Sequence, residues 1–121
     1  MPKIGNPTWN RNELILALDL YLSRKESLPG KNSLEVSELS EALNKLASRF
    51  GTVKGDKFRN VNGVYMKLMN FKALDPDYTQ SGKVGLARFG RGDKIVWDEL
   101  GHNPQLCRVE ARKILDSLSE A

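Results

Sequence analysis

The residues best suited to do chemistry fall between positions 59 and 91. Asn62, Gly63, Met66, Lys67 and Asn70 share one stripe of a segment with helical periodicity, and the stripe is short, amide-rich, basic and without carboxylates of its own. Asn and Lys side chains match adenine and guanine edges in a major groove, and a glycine there lets the backbone approach closely. Arg59 and Asn60 open the same helix, and Tyr65 lies at the edge of its apolar stripe, where a hydroxyl could meet a phosphate. Further on, Gly85-Leu86-Ala87-Arg88-Phe89-Gly90-Arg91-Gly92 reads as an arm. Lys83, Arg88 and Arg91 would lie against phosphates or in a minor groove, with Phe89 stacking on or wedging beside a base. The plain alternatives are a solvated helix face and a surface loop whose Phe89 packs into the core.

Other chemistries lack parts. Cys107 is the only cysteine and His102 the only histidine, so a zinc site, a Cys-His dyad and a Ser-His-Asp triad are all incomplete. Neither phosphate-cradling glycine motif occurs. Asp75-Pro76-Asp77 could form a carboxylate pair or a metal site, but such a tripeptide more often makes a turn. No catalytic residue, metal ligand or cofactor is expected.

Charge points the same way as the motifs. The 121 residues carry a net charge of +4, and the surplus is concentrated: residues 54 to 94 hold nine Lys and Arg against four Asp and Glu. With 40% hydrophobic and 28% charged residues the composition is that of a soluble globular chain. No apolar run approaches the roughly 20 residues of a membrane span. The opening Met1-Pro2-Lys3-Ile4-Gly5-Asn6 lacks the features of a secretory signal, so a cytoplasmic location is expected.

The elements that must position these residues are helices. Asn10-Arg11-Asn12-Glu13 is a capping box, with Trp9 and Leu14 placed as a hydrophobic staple, and Leu14, Ala17, Leu18, Tyr21 and Leu22 form one face. A second helix from Asn32 or Ser33 turns Val36, Leu39, Leu43, Leu46, Ala47 and Phe50 inward, stops at Gly51, and shows Glu35, Glu38 and Glu41 outward. Asn60 caps a third helix through about Lys72, with Val61, Val64, Tyr65, Leu68 and Phe71 on its apolar stripe. Asp75-Pro76 closes that segment. After the arm, over about 77 to 92, Asp93 is expected to cap a helix bearing Ile95, Val96, Trp97 and Leu100. Asn103-Pro104 opens the last one, with Leu106, Cys107, Ala111, Ile114, Leu115 and Leu118 as apolar positions. Strand patterning is nearly absent. The expectation is a mostly α, compact domain of about five helices over residues 1–121, with a basic Gly-rich loop. Trp9 and Trp97 serve as core anchors.

Two resemblances attach to these residues. The first three helices, opening on a tryptophan and ending with Arg59-Asn60 before Val61-x-x-Val64-x-x-x-Leu68, resemble Myb-like and other helix-turn-helix modules, whose third helix docks in the major groove. Residues 9 to 21, residues 58 to 76, Gly85-Leu86-Ala87-Arg88 and Val96-Trp97 together resemble the N-terminal region of bacterial HNH endonucleases of the modification-dependent, type IV restriction kind. The specific part is the block Arg59-Asn60-x-Asn62-Gly63-Val64-Tyr65-x-Lys67-Leu68-x-Asn70-Phe71. In such proteins a His-Asn-His nuclease domain with cysteine-bound zinc follows; these 121 residues contain neither its histidines nor its cysteines.

The resemblance therefore implies a double-stranded DNA-binding domain that recognises modified DNA, with a modified cytosine the first guess, and that is not itself an enzyme. A methyl mark would be read by Met66 or Tyr65, and an extruded base by an aromatic pocket of Phe89, Tyr78 and Trp97. The alternatives are a helical protein-interaction or dimerisation module of a nuclease, and an unspecific DNA-binding regulator.

Overall fold

The computed structural model describes residues 6–79 and 89–119, and within them the chain is helical with no strand. Six helices follow one another: α1 (Arg11–Arg24), α2 (Leu34–Arg49), α3 (Val61–Leu74), α4 (Pro76–Thr79), α5 (Arg91–Leu100) and α6 (Pro104–Ser119). Among the described residues no helix is long and apolar enough to cross a membrane.

The helix starts follow local chemistry. At α1 the Asn10 side chain accepts from the Glu13 amide while the Glu13 carboxylate accepts from the Asn10 amide, both at 2.9 Å, the reciprocal pair expected of a capping box. Ser33 caps α2, Asn60 caps α3 by accepting from the Gly63 amide at 2.8 Å, and Asn103 accepts from the Leu106 amide to open α6. Gly51, at φ 65°, supplies the left-handed turn that stops α2. Asp75 leaves α3 in an extended conformation, as the following proline requires. The extra helix is α4, a single turn begun by Pro76, whose ring suits the first helical position.

α1 is the central helix, lying against α6, α3, α5 and α2. Residues 14–18 are therefore all buried, including Ile15 and Leu16, which the one-sided periodicity leaves out. Trp97 of α5 fastens three elements together: its ring meets Tyr21 of α1 edge-on at 6.1 Å and stacks against Phe71 of α3 at 6.5 Å. Trp9 is half-buried against the same core.

Several expectations are corrected. Asp93 does not cap α5; the cap is Gly90, and Asp93 accepts the Gly90 amide from three residues inside the helix, the other half of the same box geometry. Arg91 and Gly92 thus belong to α5 and residues 77–79 to α4, so both ends of the expected arm are helical; Lys83, Arg88 and the piece at 84–87 lie outside the described residues. Phe50, Ile95, Leu106 and Leu115 were expected inward and are exposed. Ile95, Leu106 and Leu115 each sit one residue off the faces set by Val96, Trp97 and Leu100 and by Cys107, Ala111 and Ile114. Phe50 stands past the last turn of α2, where no neighbouring helix covers it.

Candidate nucleic-acid interface

The expected reading residues divide into those that hold the fold and those that face solvent. Arg59 is in the first group. It is 5% exposed, and its Nε and Nη2 donate to the two Glu13 carboxylate oxygens at 2.8 and 2.9 Å. Its guanidinium lies 4.8 Å from the Trp9 ring centre and 4.3 Å from that of Phe58. The backbone bends sharply to deliver it: Lys57 and Arg59 have φ of 62° and 43°, left-handed values that cost a non-glycine residue about 1–3 kcal/mol. Asn60 spends its side-chain oxygen on the α3 cap.

Lys67 and Asn70 are also engaged. The Lys67 ammonium donates to both Asp93 oxygens at 2.9 and 3.2 Å, and the Asn70 amide reaches Oδ2 at 3.3 Å. With the Gly90 amide at 2.9 Å, Asp93 accepts four hydrogen bonds from three groups and is 2% exposed. The α3 stripe has no carboxylate in its own sequence because α5 brings one to it. Lys67 also sits 5.1 Å from the Trp9 ring centre. A buried ion pair, Glu13 with Arg59, and a partly buried one, Asp93 with Lys67, therefore fix α3 against α1 and α5.

What stays open on α3 is a narrower face. Asn62 is exposed, Met66 is 41% exposed, and Tyr65 and Gly63 are half-buried. The chain re-enters beside this face, since the Gly90 amide and the Asn70 amide meet on one Asp93 oxygen; Phe89 and Arg91, both exposed, flank that point. Lys57 is exposed, and neither it nor Arg91 has an ion pair to a described residue. Phe89, Tyr78 and Trp97 do not form a shared aromatic pocket: Trp97 is buried in the core, and Tyr78 lies under the Lys72 ammonium at 4.6 Å.

Three features, one polar network and two concavities, escaped the sequence reading. Asp75, 3% exposed, accepts from the Tyr21 hydroxyl at 2.7 Å and from Lys25 at 3.2 Å, and Lys25 also donates to Asp77 at 2.6 Å. Burial, with the Asp75 charge behind it, pushes the Tyr21 hydroxyl far above its usual range. A groove of about 420 Å³ runs between α1, α2 and α6, lined by Leu16, Leu20 and Leu39 together with Glu35, Glu38 and Arg112. A smaller cavity of about 150 Å³ lies beneath Phe50. Burial pushes the Cys107 thiol up to about 12, as expected of a core cysteine. His102 is exposed, its ring edge-on to Trp97. No cluster of His, Cys, Asp or Glu among the described residues could hold a metal ion. No known protein-family model, curated protein or solved structure matches the chain.

Proposed function

We propose that the chain is a double-stranded DNA-binding domain that reads modified DNA for a restriction endonuclease, with α1 to α3 used in the manner of a helix-turn-helix. The observation that carries this reading is the surplus of five positive charges over residues 54 to 94. Three of those cations, Arg59, Lys67 and Lys94, are paired with carboxylates inside the domain. Lys54, Lys57, Lys72 and Arg91 have no ion pair to a described residue. Arg91 is notable for its position, because a cation in the first turn of a helix opposes the helix dipole and gains nothing for folding there. A phosphate beside it supplies the missing partner.

Asn62, Tyr65 and Met66 are the side chains of α3 left to meet base edges. If about four to six phosphates are contacted, log affinity falls against log salt with a slope of roughly −4 to −5. A flat response in a fluorescence-anisotropy titration of duplex DNA refutes the reading. Competition with duplexes carrying different modified bases then identifies the mark. The groove between α1, α2 and α6 favours a second reading, a helical interaction module, whose association would be nearly independent of salt.

A further inference from the structure

The cavity beneath Phe50 is framed by the start of α1, the end of α2 and the bend before α3. Its walls include Phe50, Phe58, Pro7 and Thr52, and its polar lining includes Asn10, Glu13 and Arg59. Three observations set it apart from a packing defect. Phe50 is 71% exposed, although burying a phenyl ring is among the larger gains a small domain has available. The backbone on either side of Phe58 is held in two left-handed residues, and such strain persists where a fold holds a geometry for use.

The third observation concerns unspent hydrogen-bonding capacity. Arg59 gives Nε and Nη2 to Glu13, while Nη1 meets no acceptor among the described residues. Among the described residues no buried side-chain polar atom lacks a partner, so Nη1 keeps access to solvent. The Asn10 side-chain nitrogen, Nδ2, likewise donates to no described residue. On Glu13, Oε1 accepts from both the Asn10 amide and Arg59, whereas Oε2 accepts only from Arg59. An ionised carboxylate has about four acceptor sites, so one remains.

We propose that this cavity receives a single cytosine-type base extruded from the duplex. About 150 Å³ is well below the roughly 300–1,000 Å³ of sites for drug-sized ligands, which suits one planar ring and excludes a whole nucleotide. The Watson–Crick edge of cytosine offers two acceptors and one amino donor. Arg59 Nη1 and Asn10 Nδ2 meet the acceptors, and Glu13 Oε2 takes the amine. Phe50 stacks on the ring face, and Lys54 and Lys57, on the loop that leads to Phe58, hold the distorted backbone. This rests on the DNA-binding reading and moves recognition of the base from the α3 face to the cavity beside its N-terminus.

The test compares anisotropy titrations of one duplex sequence in two forms, fully paired and with one cytosine placed opposite an abasic site, where extrusion costs least. The parent protein binds the second form about tenfold more tightly or better. Phe50→Ala removes a ring that is already exposed, so it folds as the parent does, and it abolishes the preference. Thr52→Trp, which fills the cavity, does the same. A parent that binds both forms equally with a steep salt slope overturns the cavity proposal alone, as does a preference that both variants retain. Absence of duplex binding removes this proposal and the DNA reading together.

Discussion

Lys67→Ala separates the surface expected from the sequence from the one the fold builds. As a lysine on a solvated helix face it would change stability by less than about 0.5 kcal/mol when truncated. In the structure its side chain is 14% exposed and is, among the described residues, the only cation paired with Asp93, whose own side chain is 3% exposed. Truncation leaves a buried carboxylate held by the Asn70 and Gly90 amides. Breaking a buried ion pair costs about 3–5 kcal/mol, and because these two donors remain, the low end of about 3 kcal/mol applies. For a domain of this size that corresponds to a fall in Tm of about 10–15 °C. Urea unfolding followed by tryptophan emission measures the cost, since Trp9 and Trp97 both pack on the core. A double-mutant cycle with Asp93→Ala returns a coupling of about 2 kcal/mol or more. A Lys67→Ala midpoint equal to the parent's, with no coupling, refutes the buried-pair argument.

Four further outcomes are expected. Gly101→Ala destabilises by about 2 kcal/mol or more in the same urea assay, because its Cβ would lie 2.6 Å from the Trp97 ring and 2.7 Å from the Trp97 carbonyl. The Lys25–Asp77 pair shapes the pH dependence of Tm. Hydrogen bonding to Lys25 lowers the Asp77 pKa, so its contribution is present above the unfolded value near 3.8 and is lost as pH falls below it. Hydrogen bonding to Asp77 raises the Lys25 pKa, so that contribution is complete below about 10.5 and is lost at higher pH; Asp77→Asn flattens both limbs. Asn62→Ala leaves Tm unchanged and weakens duplex binding, whereas Leu68→Ala, at a fully buried position, costs about 2–5 kcal/mol of stability without altering the affinity of the folded fraction. Lys57→Ala and Arg91→Ala each reduce the salt slope of duplex binding by about 1, and a slope identical to the parent's in both removes them from the interface.

The legible parts of the fold are those written in local sequence. Capping at Asn10, Ser33, Asn60 and Asn103 sets the starts of four helices, and each depends on residues no more than three positions apart. The pairings that decide what α3 can touch are not local. Glu13 meets Arg59 across 46 positions and Asp93 meets Lys67 across 26. A stripe counted along one helix shows which side chains share a face, but not which carboxylate another helix lays against it. Ile15 and Leu16 were missed for a related reason: periodicity assumes one buried face, and a central helix has several.

The two ion pairs also determine how the positive charge can act. Arg59 and Lys67 come from the segment with the surplus, yet both are spent on carboxylates that reach them from α1 and α5. Each pair is dear in desolvation, and well-packed apolar residues in the same places would often be as stable or more so. Their effect here is orientational. Arg59 fixes the N-terminal end of α3 and, with Phe58 beside its guanidinium, one wall of the cavity beneath Phe50, while Lys67 fixes the middle of α3 to the first turn of α5, where Arg91 projects. The α3 face, the bend at residues 54–57 and the start of α5 come from parts of the chain far apart in sequence. Charged pairs with directional hydrogen bonds hold such parts in one register more strictly than apolar contacts, which tolerate sliding.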